Sequence, residues 1–199
     1  MANPAAHMVL KPLSRPLLFA VIACVLAGLI ARVFAAQGGL WIDEAWSAIF
    51  ADEAVPILGV LASIHHDNNH HLNTIWLQLT GMGAPSPVMR GLSIISGTAT
   101  IWIAAMIGAR RDGWTAVATA ALFALSPILV LYGSEARGYA TMLLCLLTSI
   151  LLVLDALDAP ETPFPANALA GLAALGTLAH LMMAPALLVL TGWVFLIFM

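Results

Sequence analysis

The stretch LLFAVIACVLAGLIARVFAA, residues 17–36, decides the fold class of this chain. It contains one charged side chain, Arg32, and a helix of its length measures about 30 Å. Because the hydrocarbon core of a bilayer is about equally thick, the stretch predicts a membrane-spanning helix. A cleaved signal peptide is the alternative, since Lys11 and Arg15 precede the run and residues 33–35 fit a cleavage site.

The composition of the whole chain supports a membrane protein. Of its 199 residues, 62% are hydrophobic and 9% are charged, whereas soluble domains carry roughly 25% charged residues. A water-soluble globule of this composition could not cover itself with polar groups, which excludes a cytosolic enzyme and a disordered chain. Seven basic residues against ten acidic ones argue against a nucleic-acid partner. Cys24 and Cys145 lie in apolar runs, which favours packing roles over a disulfide.

Further apolar runs predict a bundle of five or six transmembrane spans in a single membrane domain, residues 1–199. The predicted spans are residues 17–36, 92–109, 114–131 and 137–154, with one or two more in 166–199. The last region would measure about 51 Å as one helix, which is too long for one crossing at modest tilt. We therefore expect two short helices there, with a break near His180 and Pro185.

The basic residues predict the orientation of the bundle. Lys11 and Arg15 precede the first span, and residues 110–111 are both arginine. These positions share one side if the spans alternate, and the positive-inside rule makes that side cytoplasmic. The sequence thus predicts a multi-pass protein of the cell inner (cytoplasmic) membrane with a cytoplasmic N-terminus. The segments then expected outside are residues 37–91, residues 132–138 and His180.

The first external loop, residues 37–91, carries most of the polar chemistry. Apolar residues recur at helical spacing around Trp46, beyond Pro56 and near Trp76, which predicts short amphipathic helices at the interface. Its ionisable residues are Asp43, Glu44, Asp52, Glu53, Asp67, Arg90 and four histidines. Ionisable residues at a membrane border mark functional sites by default, so we expect a site on the external side.

Three polar motifs lie on this side, and each also has a structural interpretation. Asp43 and Glu44 are neighbours whose side chains point about 100° apart on a helix, so only one can face a given cavity. Acids of this kind also favour helix N-termini. Residues 65–71, HHDNNHH, could bind a metal if helical, or form a solvated turn. Residues 135–139, EARGY, could form an interfacial salt bridge or part of a site.

In this order, the motifs resemble those of the GT-C superfamily of membrane glycosyltransferases, in its protein-mannosyltransferase and aminoarabinose-transferase branch. Residues 41–46, WIDEAW, resemble the acidic motif of the family's first external loop. Residues 67–74, DNNHHLNT, are similar to its Asn-Asn-His-x-Leu-Asn stretch. Residues 134–140, SEARGYA, resemble its Ser-x-Glu-Ala-Arg-x-Tyr-Ala element, which follows a Ser-Pro helix, here residues 126–127. His180 falls where many members have a break between two short helices.

The resemblance implies an all-α, polytopic transmembrane bundle and a reaction in glycosylation of the cell envelope. A sugar would pass with inversion from a polyprenyl-phosphate donor to an acceptor glycan, lipid or protein on the extracytoplasmic side of the bilayer. Because complete family members are considerably longer, the chain corresponds to their amino-terminal conserved half. We expect it to be completed by a carboxy-terminal half or by a second subunit.

The resemblance also implies roles for single residues. Asp43 is the expected general base for the acceptor hydroxyl, and Glu44 completes the catalytic pair by orienting a neighbour or capping the helix. Arg137 is expected to bind the donor phosphate, with Arg90 as the second candidate. The expected pocket residues are Asp67, Asn69, His70, Asn73, Glu135, Tyr139 and His180. We predict no metal site and no obligatory cofactor, because arginine can neutralise the leaving phosphate, although the chemistry tolerates a divalent metal.

The sequence is also compatible with two other functions. A non-catalytic, lipid-binding membrane subunit or degenerate relative would keep the donor site without turnover. A transporter fragment would carry charges within its spans and repeated hydropathy between its halves. Apart from Arg137 at the start of the fourth span, Arg32 and His180 are the only basic or acidic side chains in the predicted spans, which disfavours the transporter.

Overall fold

The computed structural model describes residues 13–54, 59–62 and 70–198, and over these residues all regular structure is helical. The helices are α1 Arg15–Ala35, α2 Ile42–Glu53, α3 Gly59–Ala62, α4 His71–Thr80, α5 Ser86–Met89, α6 Gly91–Ala109, α7 Gly113–Leu125, α8 Pro127–Tyr132, α9 Tyr139–Asp158, α10 Ala166–Ala179 and α11 Met183–Phe198. The predicted all-α membrane bundle is confirmed. Lys11 and residues 65–69, on which several predictions depend, lie outside the described residues.

Three helices in the described part of the chain are long and apolar enough to cross a membrane, namely α1, α6 and α9. The other apolar helices of the predicted spans, α7, α10 and α11, are shorter. The protein is therefore a helical membrane protein with three full-length candidate spans in its described part, and three shorter apolar helices lie in the regions of the other predicted spans. Two of the predicted apolar regions are interrupted, and the sequence predicted only the second interruption.

The first interruption divides the span predicted for residues 114–131. Helix α7 ends at Leu125, and Ser126 has an extended backbone with ψ of 121°. Pro127 then begins α8, where its lack of an amide hydrogen costs no helical bond. A residue before proline disfavours the helical region, so Ser126 is where the helix stops. The single predicted helix is two helices, and the carbonyls at the end of α7 need partners from elsewhere.

The second interruption lies at His180, between α10 and α11. His180 is extended, with φ of −161° and ψ of 132°. Pro185 lies within the first turn of α11, where amides have no partner inside the helix. The sequence predicted a break near both residues, and the structure puts the break at the histidine.

Small side chains allow α1, α6 and α7 to pack closely. Ala116, Ala120 and Ala124 recur every four residues along α7, so they lie on one face, and all three are fully buried. They pack with Val21 of α1 and Ile101 of α6. Close approach of backbones through small residues is how helices associate in a membrane, where burial of apolar surface gives no advantage over lipid.

The helices alternate in direction, so α1, α7 and α10 end where α6, α9 and α11 begin. We call this the polar end of the bundle, since α2, α4, α5, residues 133–138 and His180 lie there. At the opposite end, Arg110 donates hydrogen bonds to the carboxylates of Asp155 and Asp158 and thereby joins the ends of α6 and α9.

Candidate functional site

The turn between α8 and α9, residues 133–138, carries Arg137, and we call it the Arg137 turn. Side chains from distant segments hold its backbone at Ala136, which is fully buried. The Ala136 amide donates to Glu44 Oε1 at 2.5 Å, and its carbonyl accepts from Asn73 Nδ2. Because buried backbone groups need partners, Glu44 and Asn73 together determine where this turn lies. Asn73, predicted to line a pocket, is fully buried in this role.

Two more side chains hold the end of the Arg137 turn. Ser93 Oγ of α6 donates to the Arg137 carbonyl at 2.8 Å. The Gly138 amide donates to His70 Nδ1 at 3.3 Å. Gly138 has no room for a side chain, since a Cβ there would lie 1.7 Å from the Ala179 carbonyl oxygen. Ser93 was not among the predicted site residues, because its only signal in the sequence is that of a polar residue near the start of an apolar span.

Glu44 is the centre of this arrangement, and its carboxylate is fully buried. It accepts two hydrogen bonds from Arg90, at 2.8 Å from Nε and 2.6 Å from Nη2. It also accepts from the Trp41 amide at 3.0 Å, which caps the start of α2. Glu44 thus joins α2, the start of α6 and the Arg137 turn through one charged group. In the described structure Glu44 therefore caps α2 and contacts Arg90, and its predicted part in catalysis stays a prediction.

Arg90, predicted as the second phosphate-binding candidate, is 5% exposed. Besides Glu44, its guanidinium donates to the Ala36 carbonyl at 2.7 Å and the Gly39 carbonyl at 3.0 Å. The pKa of Arg90 is raised, chiefly by the hydrogen bond with Glu44. The described structure therefore brings Arg90 to the chain segment between α1 and α2, with its donors directed at protein acceptors.

Asp43 and Arg137 are brought together at the polar end. Asp43 Oδ2 lies 3.3 Å from Arg137 Nη1, and the side chains are 47% and 18% exposed. The Arg137 guanidinium carbon lies 4.9 Å from the ring centre of Tyr139 and 5.5 Å from that of Trp41. Cation–π contacts of this kind orient a guanidinium without neutralising its charge. The site thus presents the positioned guanidinium of Arg137 next to the half-exposed carboxylate of Asp43.

His70, Tyr139 and His180 form an aromatic cluster behind Arg137. The ring centre of His180 lies 4.7 Å from that of His70 and 4.4 Å from that of Tyr139. Tyr139 also stacks on Tyr132 at 4.5 Å. These three predicted pocket residues therefore do converge, although their sequence positions are far apart. The pair of Tyr132 and Tyr139 was not foreseen.

Both histidines of the cluster favour their neutral forms. Burial lowers the pKa of His70 to about 4, the charges of His180 and Arg137 act in the same direction, and a hydrogen bond with the Ala179 backbone opposes them. Burial and the nearby Arg137 also lower the pKa of His180. A neutral imidazole next to a guanidinium avoids repulsion between like charges, so Arg137 is the cation of this cluster at neutral pH.

Glu135 is a predicted pocket residue in the EARGY motif, and among the described residues it forms no ion pair with Arg137. Within the described residues, the ion pair of Arg137 is with Asp43. Glu135 Oε2 is buried and has no hydrogen-bond partner there. Burial raises the pKa of Glu135, while the charge of Arg137 opposes the increase.

The predicted pocket residues Asp67 and Asn69 lie outside the described residues, as do His65 and His66. Among the residues that are described, no three His, Cys, Asp or Glu side chains are grouped to hold a metal ion. The position of Arg137 beside His70, with Nε 3.4 Å from His70 Nε2, disfavours a cation at that histidine.

An apolar cavity of about 190 Å³ lies next to the aromatic cluster, between α6, α8 and α9. It is lined by Gly97, Thr100, Leu129, Tyr132, Gly133, Tyr139, Ala140, Met142 and Leu143. Tyr139 therefore contacts Arg137 and also lines this cavity. The charged guanidinium of Arg137 and the apolar cavity are therefore adjacent, with Tyr139 in contact with both.

The fold and this geometry define the class of the protein as a polytopic helical membrane protein with a charged and aromatic site at one end of its bundle. Comparisons with protein-family models, curated proteins and solved structures found no match to this chain.

The two adjacent carboxylates should differ sharply in their contribution to stability. Glu44→Gln leaves Arg90 buried without its counter-charge, and breaking a buried pair in this way costs about 3–5 kcal/mol. Asp43→Asn affects a half-exposed pair and should cost less than about 1 kcal/mol. Thermal unfolding of both variants in the same detergent measures the difference. Equal losses of stability would contradict the separation of roles.

The low pKa of His70 predicts a loss of stability in acid. The unfolded chain takes up a proton near pH 6.5 and the folded chain near pH 4, so the free energy of unfolding should fall as pH decreases through that window. His70→Gln should be less stable than wild type at pH 7.5, with a smaller difference at pH 4.5. Unfolding curves at both pH values test this. A difference independent of pH would rule out the proton linkage.

Proposed function

We propose that the chain forms the donor site and catalytic base of an inverting membrane glycosyltransferase of the GT-C type, which uses a polyprenyl-phosphate sugar. The observation that carries this proposal is the pair of Asp43 and Arg137, 3.3 Å apart at the polar end. Arginine provides the planar, paired donors that bind phosphate oxygens, and a carboxylate can accept the proton of a hydroxyl. Both groups are needed when a hydroxyl displaces a phosphate from a sugar.

Arg137 is proposed to bind the phosphate of the donor. Its backbone is held by Ser93 and its guanidinium lies against Trp41 and Tyr139. Such a cation is positioned before the substrate arrives, so little reorganisation is needed as negative charge develops on the leaving phosphate. The apolar cavity beside Tyr139 provides a place for the first part of the prenyl chain.

Asp43 is proposed to be the general base. A phosphate bound to Arg137 competes with Asp43 for the guanidinium, which frees the carboxylate to accept a hydrogen bond from the acceptor hydroxyl. Asp43 then takes the hydroxyl proton as the oxygen attacks the anomeric carbon. The bond from that carbon to the phosphate oxygen breaks, and the electron pair leaves with the phosphate beside Arg137. Attack opposite the leaving group inverts the anomeric centre.

The remaining residues have supporting roles in this proposal. Glu44 and Arg90 form the buried pair that holds the base and the Arg137 turn together, and Arg90 does not bind the donor. Neutral His70 and His180 pack with Tyr139 next to Arg137. No obligatory metal is needed, because Arg137 supplies the positive charge at the leaving phosphate.

We also propose a compartment and an acceptor for this reaction. The polar end would face the extracytoplasmic side of the inner membrane, since the basic residues of the opposite end favour the cytoplasm. The acceptor would be a glycan, lipid or protein there. We further propose that a carboxy-terminal half or a second subunit contributes the rest of the acceptor site.

Replacement of the base should abolish transfer while leaving donor binding intact. Asp43→Asn keeps the size of the side chain but removes its basicity, and the rate should fall about 10²–10⁴-fold. Transfer is measured with the complete protein in membrane vesicles and a radiolabelled polyprenyl-phosphate hexose. Asp52→Asn, on the exposed side of the same helix, is the matched control and should be active. Normal turnover in Asp43→Asn would exclude this residue as the base.

Replacement of the cation should weaken donor binding. Arg137→Ala removes the phosphate ligand, and Arg137→Lys keeps the charge without the paired donors, so affinity should decrease in the order wild type, lysine, alanine. Binding of polyprenyl phosphate to the chain in nanodiscs measures this order, with the exposed Arg111→Ala as control. Unchanged affinity in Arg137→Ala would put the phosphate site elsewhere. Arginine-dependent binding without turnover in the complete protein would instead favour the non-catalytic, lipid-binding subunit.

A further inference from the structure

Arg32 is a charged residue buried in α1, and the proposed function does not use it. Its side chain is fully buried, although a charge inside a membrane span is costly unless it is paired or hydrogen-bonded. Among the described residues, no carboxylate forms an ion pair with Arg32. Its hydrogen-bond partners are backbone carbonyls instead.

One of these carbonyls, that of Gly28, belongs to α1 itself and accepts from Arg32 Nη1 at 3.0 Å. The other two flank the break between α7 and α8. Arg32 Nη2 donates to the Phe123 carbonyl at 3.1 Å and to the Leu129 carbonyl at 3.3 Å. In a continuous helix, the carbonyl of residue 123 would accept from the amide of residue 127. Residue 127 is proline and has no amide hydrogen. The guanidinium therefore supplies the donor that Pro127 lacks, from a different helix.

Glycines make room for the guanidinium at this point. A Cβ atom on Gly133 would lie 2.4 Å from Arg32 Nε, and one on Gly97 would lie 2.8 Å from the same atom. Real Cβ contacts are essentially never shorter than 3.0 Å. The end of α8 and the middle of α6 thus form a slot that only glycine leaves open, and Arg32 occupies it.

We propose that Arg32 is a positioning residue, which caps the interrupted helix at Pro127 and thereby places α8 and the Arg137 turn. Leu129, one of its acceptors, also accepts from the Gly133 amide at 3.0 Å, so the contact lies where the Arg137 turn begins. Arg32 holds the first part of residues 127–138, and Glu44 with Asn73 holds the last. This inference does not rest on the proposed glycosyl transfer.

Hydrogen exchange of the whole chain in nanodiscs, followed by mass spectrometry, tests the proposal. Arg32→Met should increase exchange of the amides in residues 128–138 about tenfold, since hydrogen bonds from a charged donor are lost. Exchange in the last turns of α6 and α9, which Arg110 joins, should not change. This local pattern separates positioning from a general loss of stability.

A second pair of variants tests the link to proline. Pro127→Ala restores an amide that can bond to Phe123, so adding Arg32→Met in this background should increase exchange only about twofold. Unchanged exchange in Arg32→Met, or an equal increase in both backgrounds, would overturn the proposal. If Arg32→Met does not fold, Arg32→Lys serves the same comparison, because one ammonium cannot donate to Gly28 from one nitrogen and to Phe123 and Leu129 from another. Its expected increase is about threefold when Pro127 is present, and no increase is expected in the Pro127→Ala background.

Discussion

The polar end of this protein depends on one buried carboxylate, that of Glu44. It joins α2, Arg90 and the backbone of Ala136 without exposure to solvent. Charges this deeply buried are stable only when all their hydrogen-bonding capacity is used, and four donors surround this one. The group therefore fixes the distance between the helix that carries Asp43 and the turn that carries Arg137. The half-exposed pair at the surface is a consequence of the buried pair beneath it.

The two charged residues of the site, Asp43 and Arg137, each have a buried counterpart of the same chemical type, an acid and an arginine. Asp43 is half exposed beside Arg137, whereas Glu44 is buried with Arg90. Arg32 is a further buried charge in the scaffold. It donates to the Phe123 carbonyl, which Pro127 leaves without a donor, and to the Leu129 carbonyl. The chain thus uses three of its few charges, Arg32, Glu44 and Arg90, to hold interrupted backbone in place. A broken helix and a polar turn at the membrane border require such support, since lipid offers no hydrogen bonds.

Much of the fold and part of the site could be predicted from particular residues. The apolar runs gave the three full-length helices, and His180 marked the break between α10 and α11. The spacing of Asp43 and Glu44 indicated that the two carboxylates face different surroundings, yet it could not say which surroundings. Arg137 and Arg90 were the first and second candidates for the phosphate ligand in the sequence, which could not show that Arg90 is paired with a buried Glu44. Pro127 was visible within its run, but the donor that compensates for it lies 95 positions earlier in the chain, at Arg32.

The sequence by itself determined that this is a helical membrane protein with its polar residues concentrated at one end. That follows from local physics, since length, hydropathy and helical periodicity involve only neighbouring residues. Only the tertiary structure decided which carboxylate is buried, which arginine lies beside Asp43, and how Arg32 caps a distant helix. Those features depend on contacts between residues far apart in the chain, where burial and hydrogen bonding set the role of a charge and residue type alone does not.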